Sequence, residues 1–159
     1  MSVPSYISVA TVAAEIEACQ ENCKDFNWLI SPVDEINQLF TVSMASPIDQ
    51  GEFILEFKFD NYPETPYLID FICPITKLVG ITSAYPKYLG DSFFNSTAQV
   101  GVICHPSSRK AYVGYTGIHA DWQPTNWRSI AGGLINLNGI LDTIYTRISN
   151  QTHYSGKMA

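Results

Sequence analysis

The chain has 159 residues, a length that suits one domain, buries roughly 68–70% of its unfolded surface and folds without disulfides or a metal. Apolar residues make up 46% and charged residues 15%, which excludes a disordered chain. The net charge of −6 argues against a nucleic-acid-binding surface, and no apolar run approaches the ~20 residues of a membrane span, so neither nucleic acid nor membrane is an expected partner.

The N-terminus, MSVPSYISVA, has no basic region and no clear cleavage site, and Cys19, Cys23, Cys73 and Cys104 lack the spacing of a disulfide framework. A cytoplasmic protein with reduced thiols is the expectation. No internal repeat or low-complexity segment divides the chain. Residues 1–159 read as a single domain, with a core over about 8–148 and a loose tail over 149–159.

From about Ser8 to Phe26 the apolar residues Val12, Ile16, Cys19, Cys23 and Phe26 recur at spacings of three and four, which predicts an amphipathic helix. Cys19 and Cys23 stand at i, i+4, a spacing that suits a metal. They lie within the apolar stripe with no partner ligands, and core packing is the simpler reading. Next, Phe40, Val42 and Met44 alternate with polar or small residues, as do Phe53, Leu55, Phe57 and Phe59. That period of two predicts half-buried antiparallel strands, joined by a hairpin through SPIDQG. YLIDFICP reads as a third strand after a turn in which Pro63 and Pro66 keep the loop out of the ladder.

From about Thr76 to Gly117 the chain reads as an irregular loop rich in Tyr, Ser, Gly and Pro. Long loops of that kind tend to carry function. After DWQPT, the stripe Ile130, Leu134, Leu137, Leu141, Ile144, Ile148 predicts one helix with Thr125 as its N-cap. Gly132, Gly133 and Gly139 cost such a helix roughly 1 kcal/mol each against Ala, and close packing on the sheet is the expected compensation. The order of helix, three-strand meander, long loop and helix defines an α+β domain.

Within that order, three motifs carry a resemblance. F-K-F-D-N-Y-P-E-T-P places Tyr62, Pro63 and Pro66 between two strands. Gly101-Val102-Ile103-Cys104 ends an apolar run, and Trp122-Gln123-Pro124 precedes the last helix. Over roughly residues 8 to 148 the chain resembles the ubiquitin-conjugating enzymes, which have an N-terminal helix, an antiparallel meander, a cysteine at a strand end and a Trp-x-Pro before the next helix. It departs from them in four places. Tyr67 stands where the family has a further proline, and Phe93-Phe94-Asn95 replaces the family's His-Pro-Asn. More residues separate Cys104 from Trp122, and the family's last two helices are missing. The resemblance is to a minimal, divergent member, such as those of bacterial ubiquitin-like conjugation systems, with antiviral defence as one setting.

That resemblance implies acyl transfer through sulfur. A ubiquitin-like protein arrives on an activating enzyme, passes to Cys104 as a thioester and moves to an amine, the acceptor lysine of a substrate protein. No cofactor or metal is implied. A partner protein that covers the face left by the missing helices is a further expectation. Arg109 and Lys110 are the only cations close to Cys104 in sequence, so its pKa is expected near the free value of ~8.5. By resemblance Asn95 is the oxyanion donor, although an Asn in FFNST also serves to form a turn. His119 and Asp121, in GIHADW, offer a base and its orienter; they equally suit an exposed loop residue and a turn cap. His105 adjoins Cys104, but neighbours on a strand point in opposite directions. Tyr85, Tyr88, Tyr112 and Tyr115 form either a partner surface or a cover for the core edge, and Trp122 and Trp127 pack the helix start. Two other readings stand beside the conjugating enzyme: an inactive variant that only binds ubiquitin-like proteins, and a thiol hydrolase with Cys104, His119 and Asp121 as a triad.

Overall fold

The computed structural model describes residues 2–132 and 136–159. The sheet follows the alternation read from the sequence. Strands β1 (Leu29–Ile30), β2 (Leu39–Ala45), β3 (Glu52–Lys58) and β4 (Leu68–Ile72) form one antiparallel meander in chain order. In its register Phe40 faces Phe57, Val42 faces Leu55 and Met44 faces Phe53, and all six side chains are buried. Because side chains alternate across a strand, this register puts the whole apolar set on one face. The short β1, which pairs Leu29 with Ser43, adds a fourth strand to the three expected.

Helices supply the other layer. The N-terminal helix starts earlier than the periodicity suggests and is broken: α1 runs Ser5–Ala18 and α2 runs Gln20–Phe26. At Cys19 the backbone N–H turns back to the Ile16 carbonyl at 3.0 Å, a tight turn that buries the thiol. α2 then ends at Asn27, whose φ of 58° is one that Asn tolerates better than most residues. Cys19 joins the core and Cys23 packs half-buried against it. Phe26, expected in the apolar stripe, is exposed and rests on the ring of Tyr145.

The single helix expected after Trp122 is also two. Pro124–Asn126 form a 3₁₀ turn, so Thr125 lies inside a turn and is no cap. Helix α3 (Trp127–Ala131) follows and stops at Gly132, where φ is 65° and ψ −118°. A Cβ on Gly132 would meet nothing within 4 Å, so this glycine serves the turn and not close packing. Gly133 and Leu134 lie outside the described residues. Helix α4 (Leu137–Ile148) begins at Asn136, whose side chain accepts from the Gly139 N–H at 2.8 Å. Its Leu137, Ile140, Leu141, Ile144 and Ile148 join the core that also holds Val12 of α1 and the inner face of the sheet.

The central segment is more regular than its composition suggests. It holds β5 (Pro86–Tyr88) and the hairpin of β6 (Phe94–Thr97) with β7 (Val100–Ile103). The residues 149–159, expected to be loose, are tied down. Strand β8 (Tyr154–Lys157) pairs antiparallel with β5, Tyr154 is buried, and its hydroxyl reaches the Asp49 carboxylate at 3.0 Å. The fold is α+β with antiparallel sheets. Among the described residues, no helix is long and apolar enough to cross a membrane.

Candidate functional site

The β6–β7 hairpin delivers Cys104 to the surface. Its turn uses Ala98 at φ 50° and Gln99 at φ 64°, without the Asn-Gly pair that marks such turns in sequence. Gly101 is dictated by packing, since a Cβ there would stand 2.2 Å from the ring of the buried Tyr85. Ile103 is buried, and the Cys104 N–H donates to the Phe93 carbonyl at 2.7 Å, extending the ladder one step to the half-buried thiol.

Past Cys104 the chain turns sharply, and the turn consumes its own amides. The His105 N–H donates to Ile103 O at 3.0 Å, Ser107 N–H to His105 Nδ1 at 3.0 Å, and Ser108 N–H to His105 O at 2.9 Å. The two cations expected nearest the thiol point elsewhere. Arg109 is buried and forks onto both oxygens of Asp60 at 3.0 and 3.1 Å, with further bonds to the carbonyls of Pro66 and Asp60. Lys110 pairs with Asp70. Arg109 therefore fastens the cysteine loop to the Tyr62–Pro66 loop. That loop is held in turn by Glu15, which accepts from the hydroxyls of Tyr62 and Tyr67 and from the Leu137 N–H.

The structure brings together two of the four residues singled out in the sequence. His119 Nε2 lies 2.8 Å from Cys104 Sγ. His119 is half-buried, and its main chain is fixed at both ends, by donation to Ala111 O and by acceptance from the Trp122 N–H. Asp121 is exposed and forms no hydrogen bond or ion pair among the described residues. Asn95 lies opposite Val102, two rungs of the hairpin away from Cys104, and its carboxamide oxygen accepts from the Ser96 N–H at 2.8 Å. Asn95 thus stands inside β6, neither beside the thiol nor in a turn.

Burial pushes the Cys104 thiol above its ordinary pKa, and the negative charge of Asp91 pushes it further the same way. The shift favours the thiol form, which can donate to His119 Nε2 when that nitrogen carries no hydrogen. His105, beside it, is held neutral: burial lowers its pKa to about 4, helped by the positive charge of Arg147.

One wall of the site had no local signal in the sequence. Arg147, on the last helix, lays its guanidinium 4.0 Å from the centre of the Phe93 ring and bonds Asp91 at 2.7 Å. Asp91 stands 56 residues earlier in the chain, a distance that hid the pairing. Of the four tyrosines read as a partner surface or a cover for the core edge, Tyr85 and Tyr112 are buried, Tyr88 is half-buried, and Tyr115 is exposed. Trp127 is buried, its Nε1–H donating to the Pro63 carbonyl at 3.0 Å. Among the described residues, no group of three or more His, Cys, Asp or Glu side chains is arranged to hold a metal ion. No protein-family model and no curated protein matches the chain.

Proposed function

We propose that the chain is a ubiquitin-conjugating-enzyme-like acyl carrier that accepts the C-terminus of a ubiquitin-like protein on Cys104 and passes it to an amine. The contact between Cys104 Sγ and His119 Nε2 at 2.8 Å carries this reading. His119 takes the thiol proton as sulfur attacks the carbonyl carbon of the incoming thioester. The C–S bond to the activating enzyme breaks, and the departing thiolate takes that proton from His119. In the second step an amine nitrogen attacks the same carbon and gives up a proton to His119, the C–S bond to Cys104 breaks, and the Cys104 thiolate takes the proton from His119. Support for the family comes from the order of elements: a helical N-terminus, a four-strand meander, the Tyr62–Pro66 loop, a strand-end cysteine, and a Trp-x-Pro before the closing helices.

Transfer is favoured over hydrolysis by the amides around the nucleophile. Those of Cys104, His105, Ser107 and Ser108 are all committed within the protein, and Pro106 has none. A hydrolase of unactivated amides depends on such donors for its oxyanion, each worth roughly 2.7–4 kcal/mol. Exchange between thioesters makes a smaller demand. Asp121 also stands apart from His119, which leaves the triad without its third member. An inactive binding module gives no reason for a base held against the thiol.

The test is to incubate the protein with an activating enzyme, nucleotide and the matching ubiquitin-like protein, then resolve the products on a non-reducing gel. An adduct that is cleaved by thiols and lost in Cys104→Ala is expected. Absence of an adduct on wild-type protein, with an activating enzyme that charges another acceptor, rejects the reading. Release of a free ubiquitin-like protein from a fusion without nucleotide would favour the hydrolase.

A further inference from the structure

His119 lacks the support that usually orients a catalytic imidazole. Among the described residues no carboxylate bonds its Nδ1, and Asp121, two residues on, forms no bond. An imidazole with one free nitrogen can swing about its χ angles, and the lone pair of Nε2 aims at sulfur only while the ring plane is held. Some other group must fix that plane.

The group in contact with it is an indole. The rings of His119 and Trp122 lie 3.7 Å apart, centre to centre, with 9° between their planes. The main-chain bond from the Trp122 N–H to the His119 carbonyl, at 3.1 Å, makes the turn that stacks residues three apart. A face-to-face stack restrains the plane while leaving both ring nitrogens free at the edge, one for the thiol and one for water. Trp122 is itself backed by the ring of Tyr112, 5.4 Å away, whose hydroxyl donates to the Pro106 carbonyl at 2.5 Å. Pro106 lies two residues past Cys104. The contacts thus close a circuit from the cysteine turn through Tyr112, Trp122 and His119 back to the sulfur.

Trp122 also differs from the other two tryptophans. Trp28 and Trp127 are each 2% exposed and belong to the core, whereas Trp122 stays half-buried at its margin. An indole that packs on the margin of the core and covers one face of the base has a positioning role as its best account.

Resting on the acyl-carrier reading above, we propose that Trp122 is the positioning residue for His119, taking by ring stacking the place a carboxylate takes in a Cys–His–Asp arrangement. The test needs no partner protein. Iodoacetamide alkylation of Cys104 near neutral pH is followed on the Cys104 peptide by mass spectrometry, so that labelling of the other cysteines does not interfere. Trp122→Leu should slow alkylation about 10- to 100-fold, the scale of a misplaced reacting group, approaching the rate of His119→Ala. Trp122→Phe, which keeps a ring to stack on, should recover most of the rate. In the NMR spectrum of the wild type, the His119 ring protons should lie upfield from the indole ring current, and Trp122→Leu should remove that displacement.

A folded Trp122→Leu that alkylates at the wild-type rate overturns the proposal, as do equal losses in the Leu and Phe variants or a His119→Ala rate unchanged from wild type. Should Trp122→Leu fail to fold, the wild-type NMR shift and the Phe variant still decide; undisplaced ring protons in wild type overturn it. Failure of the acyl-carrier reading looks different: no thioester forms, while the alkylation pattern stands.

Discussion

The four-stranded sheet and the segment from residue 76 to 126 are built on opposite terms. In the sheet, one repeated rule does the work: alternate residues turn inward, and the backbone ladder satisfies the polar groups between them. Phe40, Val42, Met44, Phe53, Leu55 and Phe57 are each wholly or almost wholly buried, and none of them depends on one particular polar partner. In the second segment the ladder is short, and individual side chains hold the backbone instead. Arg109 clamps the loop to Asp60 and Pro66, Tyr112 bonds the Pro106 carbonyl, and Thr116 bonds the Lys110 carbonyl. The sheet is therefore expected to lose stability steeply and the site to lose geometry selectively, so each can be broken without the other.

The largest effect should come from the sheet. Phe57 stacks on Phe40 at 5.1 Å and takes the edge of Tyr67 at 5.3 Å. Phe57→Ala should cost about 3–5 kcal/mol through lost transfer energy and the cavity left behind. Urea unfolding would read this as a lower midpoint with an unchanged slope. In the fraction still folded, Cys104 should alkylate at the wild-type rate, since no atom of Phe57 takes part in the thiol–imidazole contact. A loss of reactivity matching the loss of stability would show that the two regions are one cooperative unit.

The same contrast explains what was legible beforehand. The strands around Phe40 and Phe57 were readable because a period of two leaves a long, redundant signature. The hairpin that carries Cys104 was not, because its turn uses Ala98 and Gln99 at positive φ where Asn or Gly would have announced it. The tail escaped too: Tyr154 meets β5, Asp49 and the Phe53 ring, all of them far earlier in the chain. Of the site residues, Cys104 was located by its place in a known order of motifs, and His119 by its chemistry. The stack on Trp122 went unread because a Trp before a helix reads as packing. Asn95 follows from the resemblance and Asp121 from its type, and neither ground fixes which way a side chain is held.

A second, smaller effect separates the regions by pH. His105 has a folded pKa of about 4 against an ordinary value of 6.5, because it is buried and faces Arg147. As pH falls from about 6.5 toward 4, the unfolded chain takes up this proton first, so stability is lost across that window. Its contribution is fully present only above the upper end. The Asn side chain of His105→Asn can still accept from the Ser107 N–H, and it removes the titration. The difference between the urea midpoints of wild type and variant should therefore shift in favour of the variant between pH 7 and pH 4.5. Carboxylates such as Glu15 act on both proteins alike and cancel in that difference. A constant difference would mean that His105 is as open to water in the folded protein as in the unfolded one.

The smallest change tests how far the site depends on a single polar contact. Tyr112→Phe removes only the hydroxyl that bonds the Pro106 carbonyl, leaving the ring against Trp122. Burial pushes the Tyr112 pKa upward, so the phenol is a donor near neutral pH, where the deletion is read. The loss of one hydrogen bond to a backbone carbonyl should cost about 1 kcal/mol of stability, read as a small fall in the urea midpoint. Alkylation of Cys104 should slow less than in Trp122→Leu, because the indole still covers His119 while the cysteine turn gains freedom. Should the hydroxyl prove as costly to reactivity as the indole, the cysteine turn rather than the ring stack would set the thiol–imidazole distance.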